Sequence, residues 1–100
     1  MERYDGVVIG AGVVGSGVAR ELSRRAGKFL VVERALDVCE GTSKANSAII
    51  HAGFDAEPGT LKAKMNVRGN QMMDKLSEEL DIPFKRVGAF VVCLSEEDLP

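Results

Sequence analysis

Three glycines directly after a short apolar run constrain this chain more than any other feature. The run Val7–Ile9 leads into Gly10, Gly12 and Gly15, an amphipathic segment follows, and a second apolar run ends at Glu33. Gly10 permits a sharp turn out of a strand, Gly12 lets a pyrophosphate approach the backbone, and Gly15 allows a helix to pack closely on the strand. The spacing predicts a strand-helix-strand unit that binds a dinucleotide at the helix N-terminus.

The acid at the end of the second run supports the same interpretation. Glu33 lies 18 residues after Gly15, near the roughly 20 expected for an acid that accepts hydrogen bonds from an adenosine ribose. Its charge is expected to repel a ribose 2′-phosphate, which argues against NADP. Arg34 can accommodate a phosphate or face solvent. The cofactor-binding candidates in this unit are Gly10, Ala11, Gly12, Val14, Gly15, Glu33 and Arg34.

Composition excludes several classes of function. The formal charge is −2 and the Lys and Arg residues are spread along the chain, so we expect no nucleic-acid partner. A strand begins soon after Met1 and the longest uncharged stretch is too short for a bilayer, so we expect no signal peptide, no transmembrane segment and a cytoplasmic location. Cys39 and Cys93 belong to no metal-binding cluster, so we expect no metal site and no disulfide, and buried thiols instead.

Periodicity predicts the remaining elements. The first helix is expected over residues 13–26 and is expected to end at Gly27. A second helix is predicted over Thr60–Leu80, where apolar residues recur in steps of three and four. Phe84–Leu94 is predicted to be a strand buried on both faces. The fold class is therefore α/β, an incomplete Rossmann-like βαβ unit followed by a loop, a long helix and a strand.

Two strands are fewer than an open doubly wound sheet requires. Near the C-terminus, Ser95 and Asp98 stand three residues apart, as in a capping box, and predict the start of a further helix. We therefore expect residues 1–100 to be the N-terminal part of a larger protein.

The segment between Arg34 and Pro58 offers polar candidates with two interpretations each. Thr42, Ser43, Asn46 and Ser47 can bind the phosphate or ring atoms of a cofactor, or can serve as turn and cap residues. His51 is the single histidine. It is either a core or turn residue beside Ile49 and Ile50, or a proton acceptor or anion contact in a site.

Two stretches give the chain a resemblance to a known family. They are VIGAGVVGSGVARELSR with VVER, and GTSKANSAIIHAGFDAEPGTLKAKMNVRGN; PFKRVGAFVV extends the match over nearly the whole chain. The chain resembles the FAD-dependent oxidoreductases of the D-amino-acid oxidase type. It is most similar to the branch that contains glycerol-3-phosphate dehydrogenases and L-2-hydroxyglutarate oxidases.

This resemblance implies FAD as the cofactor and a role for each candidate. Residues 1–100 would form the N-terminal part of an FAD/NAD(P)-binding domain, with the three glycines at the pyrophosphate and Glu33 at the ribose. The segment Thr42–Ser47 would follow the flavin side of the cofactor, and His51 would lie near the flavin ring and the substrate. Two residues depart from the family pattern: Ala48 stands where glycine is common, and Phe54 where tyrosine is common.

The resemblance also implies a reaction. The full-length protein would be an FAD-dependent dehydrogenase or oxidase that transfers hydride to the flavin from the hydroxyl-bearing carbon of a small molecule, glycerol 3-phosphate or a 2-hydroxy acid. His51 is the candidate catalytic residue, further catalytic groups would lie beyond residue 100, and this chain alone is expected to be inactive. The electron acceptor is not specified. The alternative is a truncated, non-catalytic dinucleotide-binding fragment; the NSAIIHAG stretch disfavours an NAD-linked enzyme.

Overall fold

The computed structural model describes residues 1–98. The chain divides into two compact units between Ile49 and Ile50. The elements in chain order are β1 (Gly6–Ile9), α1 (Val13–Leu22), β2 (Phe29–Val32), α2 (Leu61–Glu79) and a short 3₁₀ helix (Glu96–Asp98). Among these described residues, no helix has the length and hydropathy needed to span a membrane.

The first unit is the predicted strand-helix-strand unit. β1 and β2 pair in parallel, with Gly6 opposite Phe29 and Ile9 opposite Val32. Main-chain hydrogen bonds extend the pairing past both ends: Asp5 N–H donates to Lys28 O at 2.8 Å, and Gly10 N–H donates to Val32 O at 2.7 Å. α1 packs against both strands. The α/β class and the partial Rossmann-like βαβ unit are confirmed.

The first helix is shorter than predicted. It ends at Leu22, and not at residue 26, because the main chain changes its hydrogen bonding there. Arg24 N–H donates to Glu21 O and Arg25 N–H to Leu22 O, which are the i−3 acceptors of tight turns. Gly27 follows with a φ of +144° and returns the chain toward β2.

Much apolar surface of the described residues is exposed. Ala11 and Ala56 are the buried hydrophobic residues, at 5% and 7% exposure, whereas Ile9 on β1 is 86% exposed. The prediction of buried thiols is wrong for Cys93, which is exposed, and Cys39 is half-buried. Cys39 is partly covered because its Sγ lies 3.5 Å from Ala11 O, whereas Cys93 lies in a segment that forms no strand.

The second unit contains the predicted long helix. α2 begins after Thr60, whose Oγ1 accepts a hydrogen bond from Ala63 N–H at 3.2 Å. A threonine side chain in this position satisfies one of the N–H groups that a helix start leaves without an intrahelical acceptor. The helix ends at Glu79, within one residue of the predicted end. Asp81 then takes a φ of +53° and turns the chain away.

The predicted strand over Phe84–Leu94 is wrong. The segment contains no strand, and Phe90 is 98% exposed. A strand is stabilised by a hydrogen-bonded neighbour, and the two strands of the described chain pair with each other. Gly88, with a φ of +79°, further interrupts the apolar run. A helix was predicted to start at Ser95, and the structure has the short 3₁₀ helix Glu96–Asp98 directly after this residue. Any continuation of the predicted helix falls on residues 99–100, outside the described residues.

Candidate functional site

The glycine loop joins β1 to α1 by a tight turn. Gly10 has a φ of +95°, a conformation that glycine adopts without a steric cost. Gly12 is the N-cap of α1 and has no side chain to cap the helix. α1 passes so close to the loop that an ideal Cβ on Gly15 would overlap the carbonyl oxygen of Gly10. The backbone of the loop is therefore tight and lacks side chains where a ligand would approach.

The start of α1 presents main-chain donors. Ser16 N–H makes the first intrahelical bond, to Gly12 O at 2.9 Å. The N–H groups of Val13, Val14 and Gly15 precede it and have no acceptor within the helix. Val13 N–H donates to Ser43 Oγ at 2.9 Å, so the polar segment reaches the helix start. These donors and the helix dipole favour an anion at this end.

Glu33 connects the end of β2 to the glycine loop. Its Oε2 accepts from Ala11 N–H at 2.8 Å, and its Oε1 accepts from Ala35 N–H at 2.9 Å. The hydrogen bonds from Ala11 and then Ala35 hold the pKa of the Glu33 carboxyl below its ordinary value. A carboxylate has about four acceptor positions, so two remain for further donors such as ribose hydroxyls.

A cavity of about 580 Å³ brings these groups together. Its lining includes the predicted residues Gly10, Gly12, Glu33, Arg34, Thr42 and Ser43, together with Cys39 and Glu40. A larger, mostly apolar space of about 1140 Å³ is lined by β1, by α1 residues such as Val14, and by Asn46, and it shares Gly10, Gly12 and Ser43 with the smaller cavity. The smaller cavity combines two glycines of the loop with the Glu33 carboxylate and the Ser43 hydroxyl, and this combination matches a dinucleotide better.

The polar segment folds largely through its own hydrogen bonds. Asn46 Nδ2 donates to Ser43 O at 2.7 Å, and Asn46 Oδ1 accepts from Ala48 N–H at 2.8 Å, so this amide serves the local turn. Ser43 caps α1, whereas Thr42 and Ser47 are exposed. Ala48 has a φ of +53°, a conformation that favours glycine, so the departure noted at this position carries a steric cost.

His51 belongs to the second unit and is exposed. Its Nδ1 lies 3.1 Å from Asp55 Oδ2, and both side chains are 57% exposed. Its carbonyl oxygen accepts from Asn70 Nδ2 at 3.0 Å. The interpretation of His51 as a core residue is therefore wrong, whereas the turn and site interpretations both stand.

The family to which the chain belongs agrees with this geometry. The family model described as DAO, FAD dependent oxidoreductase, matches residues 5–100. The chain belongs to the FAD dependent oxidoreductase family. Its cofactor is accordingly FAD, as the sequence predicted.

Several enzymes have sequences similar to this chain. It is 51% identical over 96 residues to a glycerol 3-phosphate dehydrogenase of Caloramator mitchellensis, covering 96% of this chain and 20% of that protein. It is 44% identical to a mitochondrial L-2-hydroxyglutarate dehydrogenase of Arabidopsis thaliana, with 99% and 20% covered. A glycerol 3-phosphate oxidase of Mycoplasma genitalium is 35% identical, with 98% and 26% covered. The chain thus spans about a fifth to a quarter of these relatives.

The residues present fit an FAD diphosphate. An ideal Cβ on Gly12 would lie 3.1 Å from Ser43 Oγ, so glycine lets this hydroxyl lie close beside the helix N-terminus. The glycine spacing and Glu33 were visible in the sequence. The hydrogen bonds that connect these residues were not visible there. Sequence spacing does not indicate that Ser43 accepts from Val13 N–H or that Glu33 accepts from Ala11 N–H.

A second arrangement escaped the sequence analysis altogether. Arg86 donates to both carboxylate oxygens of Asp74, from Nε at 2.8 Å and from Nη2 at 2.7 Å, and to Asn70 Oδ1 from Nη1 at 2.8 Å. The pKa of Asp74 is lowered and that of Arg86 raised, in each case chiefly by their mutual hydrogen bonds. Little in the sequence indicated these contacts, because Arg86 lies in a segment that was predicted to be a strand.

Proposed function

We propose that this chain is the N-terminal part of the FAD-binding domain of a dehydrogenase or oxidase that oxidises a hydroxyl group of a small molecule. The substrate class is glycerol 3-phosphate or a 2-hydroxy acid. One observation carries the proposal: Gly10 and Gly12, Glu33 and Ser43 line a single cavity in a chain of the FAD dependent oxidoreductase family. Ser43 also accepts a hydrogen bond from Val13 N–H at the start of α1. The activities named for the relatives, on glycerol 3-phosphate and on L-2-hydroxyglutarate, support the substrate class.

The diphosphate of FAD would bind the main-chain N–H groups at the start of α1. Gly10, Gly12 and Gly15 allow this approach, and Val14 contributes its N–H. Ala11 acts indirectly, because its N–H is bonded to Glu33. Glu33 would accept hydrogen bonds from the ribose hydroxyls, and its lowered pKa keeps the carboxylate ionised for this purpose.

The polar segment would contact the cofactor farther along. The Ser43 hydroxyl accepts from Val13 N–H and has its own proton left for a phosphate oxygen. Thr42 and Arg34 line the same cavity. Asn46 would shape the turn that presents Ser43 and Ser47.

His51 would take the substrate hydroxyl proton or contact the substrate. FAD, when bound, supplies the acceptor for the hydride that leaves the substrate carbon, so that the hydroxyl becomes a carbonyl. His51 is suited to the accompanying proton transfer because one nitrogen of a neutral imidazole has a lone pair that accepts a proton.

The other groups required for catalysis would lie outside the described chain. The share of the relatives that this chain covers supports that expectation. A cytoplasmic location stays a prediction; the name of the Arabidopsis relative places that protein in mitochondria.

The test is anaerobic reduction of the flavin in the full-length protein. We expect loss of the oxidised flavin absorbance on addition of either glycerol 3-phosphate or L-2-hydroxyglutarate. A compound without a hydroxyl group, such as glutarate, is the control. Bound flavin that neither substrate reduces would contradict the proposed substrate class, and a purified protein without flavin affinity would favour the non-catalytic alternative.

A further inference from the structure

His51 is held at two points, its ring by Asp55 and its main chain by Asn70. The ring contact joins His51 Nδ1 to Asp55 Oδ2 at 3.1 Å, and the main-chain contact joins His51 O to Asn70 Nδ2 at 3.0 Å. A residue of a flexible turn has no need of both restraints. Their combination fixes where the imidazole lies and which of its nitrogens faces outward.

The ring contact determines the tautomer. An ionised carboxylate accepts hydrogen bonds and donates none, so the Nδ1 of a neutral His51 must carry the hydrogen that faces Asp55. The other nitrogen, Nε2, then has the lone pair. A neutral imidazole held in this way accepts a proton only at Nε2, on the side of the ring away from Asp55.

The main-chain contact is itself oriented by Arg86. A guanidinium is purely a donor, so the Asn70 oxygen must face Arg86 Nη1, 2.8 Å away, and its Nδ2 must face His51 O. The two bonds from Arg86 to Asp74 fix the guanidinium in turn. Asn70 and Asp74 belong to α2, so the main chain of His51 is fixed to the helix.

Close packing supports this restraint. Gly53, two residues after His51, has a φ of +114°, and an ideal Cβ there would lie 2.7 Å from Val67 Cγ2 on α2. Glycine thus lets the turn from His51 to Asp55 lie directly on the helix. This packing restrains the main chain that carries His51 and Asp55.

We propose that Asp55 is a positioning residue that holds His51 in the Nδ1–H tautomer, so that Nε2 takes the proton from the substrate hydroxyl. This inference rests on the proposed function of His51. The hydroxyl proton moves to Nε2 while the hydrogen on Nδ1 stays with Asp55, and the positive charge of the resulting imidazolium lies beside the carboxylate. Replacing that carboxylate removes both the choice of tautomer and the stabilisation of the charge.

The first test reads the tautomer directly and requires no activity. In the full-length protein labelled with ¹⁵N-histidine, the resonances lost in His51→Gln identify His51. We expect a neutral ring with hydrogen on Nδ1 in the wild type, and a mixture of tautomers in Asp55→Asn. A wild-type ring with its hydrogen on Nε2 overturns the inference, whatever the activity of the enzyme.

The second test compares rates of flavin reduction by the active substrate. We expect Asp55→Asn to lower kcat by about tenfold or more with a smaller change in KM, and Asp55→Glu to recover part of the loss. Asp81→Asn is the matched control, because its φ of +53° suits asparagine; its kcat should stay within about twofold of the wild type.

The two tests separate the possible failures. An altered tautomer with an unchanged kcat overturns the positioning role of Asp55. An unchanged kcat in His51→Gln overturns the proposed role of His51, while the tautomer measurement still reports on the contact with Asp55. Equal flavin content in all variants, measured by absorbance, ensures that the comparison concerns folded enzyme.

Discussion

Gly15→Ala tests whether the close passage of α1 over the glycine loop maintains the site. An added Cβ would overlap the carbonyl oxygen of Gly10 and lie 3.0 Å from its carbonyl carbon. Carbon atoms in favourable contact are about 3.5–4.0 Å apart, so helix and loop must separate by ~0.5 Å or more. Both clashing atoms belong to the main chain, so no side-chain rotation relieves the overlap. Overpacking of this kind costs about 1–3 kcal/mol.

Gly17→Ala is the matched control. Gly17 lies in the same helix, and an added Cβ there meets no atom within 4 Å. Both substitutions gain about 1 kcal/mol of helix propensity, so the difference between the two variants isolates the overlap. We expect Gly17→Ala to be more stable than the wild type by up to about 1 kcal/mol, and Gly15→Ala to be less stable than Gly17→Ala by about 1–3 kcal/mol.

Thermal unfolding and FAD titration of the full-length protein measure the two consequences. Because separation of helix and loop moves the main-chain donors, Gly15→Ala should also weaken FAD binding by about tenfold, which corresponds to about 1.4 kcal/mol. Gly17→Ala should bind FAD as the wild type does. Equal stability and equal affinity in the two variants would refute the argument from close packing.

Three further predictions concern single contacts. Glu33→Gln should weaken FAD binding by about tenfold, because the charged acceptor for the ribose hydroxyls and for Ala11 N–H is lost. Fluorescence titration measures the affinity, and Glu40→Gln, in the same cavity, should have little effect on it. Ala48→Gly should raise the stability by about 0.5–1 kcal/mol by relieving a positive φ, and a lower melting temperature would contradict this. Asp74→Asn should destabilise the protein above about pH 4, where Asp74 is ionised in the folded and unfolded states. Because its folded pKa is lowered, this difference should vanish as the pH falls through that pKa, and a constant difference in melting temperature down to pH 2 would count against the ion pair with Arg86.

The sequence predicted those parts of the fold that depend on local patterns. The glycine spacing and the two apolar runs located the βαβ unit, since each glycine meets a steric requirement that operates within a few residues. Thr60 and the apolar stripe likewise located α2 within one residue at each end. Family membership was predictable as well, from the stretch that contains His51.

The wrong predictions concern elements that depend on distant partners. An apolar run such as Phe90–Cys93 forms a strand only beside another strand, and its composition does not reveal whether one is present. The end of α1 depended on a change from i−4 to i−3 acceptors at Arg24, which hydrophobic periodicity does not report. The contacts of Arg86 with Asn70 and Asp74 were not predicted, because they join a loop to a helix that precedes it in the chain. Sequence spacing does not indicate which loop residues contact a helix.

FAD titration of Gly12→Val in the full-length protein tests the central claim most directly. The backbone at Gly12, with φ −74° and ψ −176°, suits valine, so the fold should survive, while the new side chain projects toward Ser43 and fills the space of the diphosphate. We predict that Gly12→Val loses measurable FAD binding and that Gly17→Val retains the wild-type affinity. Wild-type affinity in a folded Gly12→Val protein would contradict the assignment of this loop as the FAD site.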